Sequence, residues 1–110
     1  MKFRSTRGGE SVSLDAALVS GIAADGGLFM PETLPQFSIG DFDNVEAILD
    51  VAAVLLRPFF EQSALAAQVN EILGETLSFP IPLTELPVTA GRARMLELFH
   101  GPTAAFKDVG

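Results

Sequence analysis

The residues best suited to covalent chemistry lie in segment 97–110, which reads ELFHGPTAAFKDVG. Lys107 stands between Phe106 and Asp108, a few residues after a Gly-Pro pair. A lysine amine on an apolar, partly dehydrated surface loses hydration of its charged form, so its pKa falls and the neutral nucleophile becomes available. Such an amine can form a Schiff base with a carbonyl compound. Lys107 is therefore the best catalytic candidate in the chain.

The ordinary interpretation of Lys107 is a solvated surface charge. Two neighbouring features bear on the choice. In the first turn of a helix, a cation opposes the helix dipole, which favours the neutral amine. The carboxylate of Asp108 favours the charged amine, unless it points elsewhere or accepts hydrogen bonds from backbone amides. The sequence leaves the direction of this second influence open.

Two further titratable residues precede the lysine. His100 could act as an acid, a base or a phosphate contact, but a lone histidine at a strand end more often caps a turn or fills a polar niche. Glu97 lies in an apolar run, where a carboxylate needs a partner, and the predicted partner is one of three arginines. Those candidate partners are Arg4, Arg92 and Arg94.

The elements that must position these residues follow from periodicity and turn residues. Apolar spacing predicts three helices, of which the second should bury a broad apolar stripe, and a cap residue predicts the start of a fourth. Glycine pairs at 8–9 and 26–27 predict turns, because neither has the spacing of a phosphate-binding loop. The predicted strands cover 2–6, 28–30 and 95–99, with Pro31 at a sheet edge. The first predicted helix runs from Ser13 to a stop at 25–27, and the second from Asn44 to an end or kink at Pro58. The third runs from Ser63 to Gly74. The fourth has Thr103 as its cap and begins at Ala104. The predicted connectors are 31–43 and 75–90, the second anchored by Leu83 and Leu86.

Composition excludes several classes of function. A chain of 110 residues is short for an enzyme that must enclose both a cofactor and a substrate. A net charge of -7 disfavours nucleic acid and anionic membrane surfaces. The absence of cysteine excludes disulfides and thiolate metal sites, and no metal site is predicted. No apolar stretch approaches the ~20 residues of a membrane span, and a cytoplasmic location is the default expectation.

Three separated motifs resemble the opening of bacterial and fungal threonine synthases. They read STRGG at 5–9, GIAADGGLFMP at 21–31 and HGPTAAFKD at 100–108. The resemblance covers the whole chain and is weakest between residues 41 and 90. Plant-type threonine synthases and threonine dehydratases carry a different sequence around the lysine, of the Gly-Ser-Phe-Lys type. Ala104 and Val109 stand where many family members have leucine and phenylalanine, and both changes stay apolar.

The resemblance implies an α+β fold with two parts. Residues 1–90 are expected to form a mainly helical N-terminal domain with a few short strands. Residues 91–110 are expected to form the first strand and helix start of a fold-type II enzyme dependent on pyridoxal 5'-phosphate. The chain is then an N-terminal fragment that ends just after the cofactor-lysine motif, and it is expected to be inactive alone.

The resemblance also implies a role for Lys107, which matches the family's catalytic and cofactor-binding lysine. The family converts O-phospho-L-homoserine and water to L-threonine and phosphate by a β,γ-replacement, in which the lysine holds the cofactor and moves protons among the substrate's carbons. Most contacts to the cofactor and substrate phosphates come from sequence far downstream in the family. The implied partners are therefore the small-molecule substrate and the remaining catalytic domains. Two alternatives stay open: a packing module without catalysis, and a threonine-synthase-like phospho-lyase that acts on related substrates.

Overall fold

The computed structural model describes residues 1–87 and 92–109. These residues form two compact units, Met1–Glu71 and Ile72–Gly110. Strands and helices are both present, as the predicted α+β class requires. The predicted domain boundary at residues 90 and 91 lies outside the described residues, so the division into 1–90 and 91–110 stays a prediction.

The first unit begins with a three-stranded antiparallel sheet. Strand β1 (Lys2–Ser5) lies between β2 (Val12–Ser13) and β3 (Phe29–Pro31), with Phe3 opposite Val12 on one side and opposite Pro31 on the other. Burial alternates along β1, so that Phe3 and Ser5 face inward. The predicted strands at 2–6 and 28–30 are confirmed, and Pro31 lies in an edge strand, where its missing amide hydrogen is tolerated. Strand β2 was not predicted, because two residues carry no readable alternation.

Helix α1 (Leu14–Ser20) begins at the predicted cap and ends earlier than predicted. The Ser13 hydroxyl accepts a hydrogen bond from the Ala16 amide at 3.2 Å. Gly21 ends the helix with φ 68° and donates its amide to the Ala17 carbonyl at 2.9 Å. A glycine adopts that left-handed conformation without steric cost, so the predicted stop at 25–27 is wrong.

Helix α2 (Ile48–Phe60) is displaced toward the carboxyl end from its predicted range. Asn44 has φ 62°, which is incompatible with a right-handed helix, so the helix begins beyond it. Pro58 lies inside the last turn and does not end the helix. At that position the proline removes one hydrogen bond, and the helix has few residues left to lose beyond it.

The predicted burial of the α2 stripe is wrong. None of the thirteen residues of α2, all of them described, is buried. Ile48 is 47% exposed, and Leu55 and Leu56 are each 39% exposed. The spacing of the apolar residues identified the helix correctly, but burial needs a covering element, which the spacing does not supply.

The third helix, α3 (Val69–Thr76), follows a 3-10 turn at Ala66–Gln68. The Ser63 hydroxyl accepts from the Leu65 amide at 3.1 Å and donates to the Asp15 carboxylate at 2.6 Å. Gly74 lies inside α3 and does not end it as predicted. The connector predicted at 31–43 is present from residue 32, since Pro31 belongs to β3, and it contains a 3-10 turn at Ile39–Phe42.

The second unit contains a hairpin that the sequence only half predicted. Strand β4 (Leu83–Glu85) pairs in antiparallel fashion with β5 (Arg94–Leu96). The predicted connector 75–90 is therefore wrong, because it contains both the end of α3 and a strand. Leu83 is 56% exposed and does not serve as an anchor, whereas Leu86 is half-buried. The strand predicted at 95–99 is present over Arg94–Leu96.

Few side chains are buried among the described residues. In the first unit the buried apolar residues are Phe3, Ala17, Ala23 and Val69, and the polar residue Ser5 is buried too. In the second unit Leu73 is buried.

Candidate active site

The lysine segment is a loop that closes on itself. The Ala104 amide donates to the Gly101 carbonyl at 3.0 Å and forms a tight turn after β5. Ala104 has φ 54°, an uncommon conformation for a residue with a Cβ. A single 3-10 turn at Phe106–Asp108 follows. The predicted helix from Ala104 is thus wrong, because the left-handed Ala104 and the extended Ala105 cannot continue into a helix.

Lys107 occupies the middle of this 3-10 turn and is exposed. Its amine has no hydrogen bond or ion pair with any residue of 1–87 or 92–109. Phe106 beside it is 65% exposed and Phe99 is 51% exposed. The apolar surface that would dehydrate the amine is therefore absent from the described part of the chain.

Asp108 fastens the loop instead of pairing with Lys107. Its two carboxylate oxygens accept from the Thr103 hydroxyl at 2.7 Å and from the Thr103 amide at 3.0 Å. The hydrogen bond from the Thr103 hydroxyl, more than any other contact, lowers the pKa of the Asp108 carboxyl from its ordinary value. The direction that the sequence left open is thereby settled, because the Asp108 carboxylate accepts hydrogen bonds from a backbone amide and a hydroxyl. Thr103, the predicted helix cap, instead donates its hydroxyl hydrogen to the Asp108 carboxylate.

Gly101 lies directly under the Asp108 side chain. A Cβ built on Gly101 would lie 2.5 Å from both Cβ and Oδ2 of Asp108, which is an overlap. The glycine is therefore required here by close approach of a side chain. We call Gly101, Thr103 and Asp108 together the loop clamp.

Glu97 and His100 form a second polar cluster just before the loop. Glu97 accepts from the Thr84 hydroxyl at 2.8 Å, and its other oxygen lies 2.6 Å from His100 Nε2. These two contacts, with His100 first, lower the pKa of the Glu97 carboxyl. His100 thus fills a polar niche beside Phe99, whose ring centroid lies 4.7 Å from its own.

Two of the predicted arginine partners of Glu97 bind elsewhere. Arg4 pairs with Glu32 at 2.7 Å, and Arg94 pairs with Glu85 at 3.3 Å across the hairpin. Both predictions are wrong for a similar reason: each arginine pairs with a carboxylate in, or directly after, the strand that neighbours its own strand. The Thr84 hydroxyl was not identified from the sequence, because β4 was not predicted.

The N-terminal motif STRGG is structural in the first unit. The Ser5 hydroxyl donates to Asp25 Oδ1 at 2.6 Å, and the same oxygen accepts from the Gly27 amide at 2.9 Å. These hydrogen bonds, led by that of Ser5, lower the pKa of the Asp25 carboxyl. Arg7 donates to the Asp25 carbonyl at 3.1 Å. Gly8 has φ 96°, as the predicted turn requires.

No group of three or more histidine, cysteine or acidic side chains in 1–87 and 92–109 could hold a metal ion. No helix in that part of the chain is long and apolar enough to cross a membrane.

Comparison with known proteins places the fold. A family model described as threonine synthase N terminus matches residues 2–77. The threonine synthase of Pseudomonas aeruginosa is 37% identical over 116 residues, covering 98% of this chain and 24% of that protein. A crystal structure of threonine synthase from Brucella melitensis with bound PLP superposes with a TM-score of 0.83 at 37% identity, over 99% of this chain and 25% of that one.

The yeast threonine synthase structure gives the same result. It superposes with a TM-score of 0.83 at 35% identity, over 98% of this chain and 24% of that one. The chain thus spans about a quarter of the length of the relatives it matches. It belongs to the threonine synthase family, of which it represents the N-terminal region.

Proposed function

We propose that this chain contributes Lys107 to a threonine synthase that uses pyridoxal 5'-phosphate to convert O-phospho-L-homoserine and water to L-threonine and phosphate. The observation that carries the proposal is the Lys107 amine, which is exposed and has no partner among the described residues. It stands in a chain that superposes over 99% of its length on a PLP-bound threonine synthase.

The residues present fit a covalently held aldehyde cofactor. An amine that already served an ion pair would lose that pair when it bound an aldehyde, and Lys107 has none in 1–87 and 92–109. Asp108, the nearest carboxylate in sequence, is held by Thr103. The glycine pairs at 8–9 and 26–27 belong to turns, and we assign the phosphate cradle to the rest of the synthase.

The division of labour follows from this fit. When bound, pyridoxal phosphate supplies an electron sink that stabilises negative charge at the substrate's α carbon. Lys107 Nζ holds the cofactor and moves protons at the substrate's carbons. The rest of the protein fixes the phosphates and excludes water, and the 110-residue chain alone is expected to show no turnover.

The exposed stripe on α2 supports a second role, packing against the remainder of the synthase. Ile48, Leu55 and Leu56 expose between 39% and 47% of their surface on a single helix. Monomeric proteins seldom leave a contiguous apolar patch uncovered. In the relatives, about three quarters of the polypeptide lies outside the region matched here. We take that polypeptide as the partner of this face.

Lysine substitution tests the catalytic role. The recipient is the P. aeruginosa threonine synthase with this chain in place of its matching segment. Lys107→Ala should abolish both turnover and the absorbance of bound cofactor, because the proposal assigns the bond to the aldehyde to the Lys107 amine. Lys2→Ala is the matched control, since Lys2 is the other lysine of the chain, and it should change neither. Retention of cofactor absorbance and turnover in Lys107→Ala would overturn the proposal.

Polar substitution on α2 tests the packing role. The separately expressed chain and the remaining three quarters of the P. aeruginosa enzyme are mixed, and their dissociation constant is measured. Leu55→Glu is expected to weaken association about fivefold or more, as loss of a buried apolar contact does. Val19→Glu is the control, because Val19 is 91% exposed and lies on α1. Equal affinities for the two variants would show that α2 is not the docking face.

A further inference from the structure

We infer that the loop clamp positions Lys107, and that Asp108 and Thr103 are positioning residues of the synthase. This inference rests on the proposed function. The clamp closes the segment from Thr103 to Asp108 into a ring, joined by the backbone between them and by the two hydrogen bonds to the Asp108 carboxylate. Lys107 lies within that ring, one residue before the carboxylate, so fixing Asp108 restricts where the Lys107 Cα can go.

Two hydrogen bonds hold the Asp108 carboxylate in the clamp. A carboxylate that accepts one hydroxyl and one amide of the same residue is held at two points, which fixes its orientation as well as its distance. Gly101 is part of the clamp because its missing side chain leaves room for Asp108, with which a Cβ at that position would collide. The Asp108 amide also donates to the Ala105 carbonyl at 3.1 Å, so the same residue secures the 3-10 turn.

Backbone strain at Ala104 is an independent sign that the loop is held. A left-handed conformation is unfavourable for alanine, and φ at Ala104 is 54°. Strained residues persist where surrounding contacts over-determine them. Ala104 lies between Thr103 and the 3-10 turn, inside the ring closed by the clamp. The strain and the clamp therefore oppose each other, and the clamp holds the loop in this conformation together with the hydrogen bonds donated by the Ala104 and Asp108 amides.

A held lysine matters for chemistry. A nucleophile acts efficiently only when its position is fixed near the reacting atom, and small displacements lower the rate strongly. Lys107 itself has no partner in the described residues, so its placement depends on its backbone. The clamp supplies that placement without occupying the amine.

The first test measures the loop in the 110-residue chain. The variants are Thr103→Val, which removes the hydroxyl, and Thr103→Ser, which keeps it. Amide hydrogen exchange at Ala104, Asp108 and Val109 is followed by NMR. Thr103→Val should speed exchange about three- to tenfold, the effect of losing one hydrogen bond on local opening. Thr103→Ser should stay close to the parent. Equal exchange in the two variants would overturn the clamp.

The second test measures function in the P. aeruginosa chimera described above. Thr103→Val should lower kcat by about tenfold to a hundredfold while KM changes less, because misplacement of the reacting group weakens the chemical step. Thr103→Ser keeps the hydroxyl and should have a kcat close to that of the parent. Adding Ala104→Gly to Thr103→Val should recover part of the lost kcat, because it removes the opposing strain. A role in stability alone would alter the unfolding midpoint without this rescue of kcat.

The outcomes separate the two proposals. If Lys107→Ala keeps the cofactor absorbance and turnover, the proposed function fails. If Lys107→Ala loses both while Thr103→Val matches Thr103→Ser in kcat and in exchange, the function stands and the positioning role fails.

Discussion

Two aspartates in this chain make similar contacts with different consequences. Asp25 accepts from the Ser5 hydroxyl and the Gly27 amide, and Asp108 accepts from the hydroxyl and amide of Thr103. The first joins residues twenty positions apart, and the second joins residues five positions apart. Ser5 is buried, whereas Thr103 is exposed. The same chemistry thus fastens strand β1 to a distant turn in one place and shapes a single loop in the other.

Each aspartate site also depends on a glycine. A Cβ on Gly27 would overlap the Ser5 hydroxyl, and a Cβ on Gly101 would overlap Asp108. Around Gly27 the backbone of Arg7 is also close, at 3.1 Å from the same Cβ position, so the surroundings cannot easily move aside. Around Gly101 the nearest atoms all belong to one side chain. A substitution at Gly27 should therefore destabilise the fold of the first unit, whereas a substitution at Gly101 should disturb only its own loop.

The largest expected effect is on the Gly27 site. Gly27→Ala should destabilise the fold of residues 1–71 by about 1–3 kcal/mol, the usual effect of forcing an extra methyl group into a packed position. Chemical denaturation measures the difference. Gly74→Ala is the control: its Cβ meets nothing within 4 Å inside α3, so that variant should gain about 0.5–1 kcal/mol. A neutral Gly27→Ala would remove the distinction between the two sites.

The next effect is the response of the Asp25 site to acid. Hydrogen bonds lower the pKa of Asp25 in the folded chain, so the unfolded chain binds more protons as the pH falls. The stabilisation is complete above the unfolded pKa of about 4 and is lost as the pH drops through the lower, folded value. Glu32 and Asp41, whose pKa values are also lowered, add to this loss.

The measurement compares denaturation midpoints at about pH 6 and about pH 3. Asp25→Asn should be less stable than the parent at the higher pH and should lose less on acidification. Asp108→Asn is the matched control. The pKa of Asp108 is lowered as well, but its contacts lie in a loop of the second unit. We therefore expect residues 1–71 of that variant to lose as much stability on acidification as those of the parent. An unchanged acid response in Asp25→Asn would show that the Asp25 contacts do not stabilise the fold.

The sequence predicted those parts of the fold that depend on neighbouring residues. The Ser13 cap, strand β1 and the edge position of Pro31 follow from local rules and are confirmed. The wrong helix ends arose where more than one residue could have ended the helix, or where a possible stop residue did not end it. Gly21 and the 26–27 pair could each end α1, and the one nearer to the helix start did so. Gly74 resembles a stop signal, but it keeps a helical conformation.

The candidate site shows the same limit. A threonine hydroxyl before a helix start can cap the helix or bind a nearby carboxylate, and Thr103 does the second. The three-residue spacing of Glu97 and His100 was visible, but Thr84 came from an unpredicted strand. The role proposed for Lys107 rests on resemblance, because its exposed position is also typical of an ordinary surface lysine.

A smaller effect is expected at the Gly101 site. Gly101→Ala should displace the Asp108 side chain and speed exchange of the Thr103 and Val109 amides, while the free energy of unfolding of residues 1–71 changes by less than about 0.5 kcal/mol. NMR exchange and chemical denaturation on the same sample measure both. A loss of stability as large as that of Gly27→Ala would mean that the loop clamp holds more than its own loop.

The smallest effect is expected at the two described residues, other than glycines, whose backbone has a positive φ. Asn44 has φ 62° and Ala104 has φ 54°, but asparagine tolerates this conformation better than alanine. Ala104→Gly should therefore stabilise the lysine loop by less than about 1 kcal/mol, which is the relief of strain minus the extra freedom of glycine when unfolded. Slower exchange at the Asp108 and Val109 amides would report it. Asn44→Gly, the matched change in the first unit, should bring little or no gain. If both substitutions stabilise equally, Ala104 carries no special strain, and the clamp has nothing to oppose.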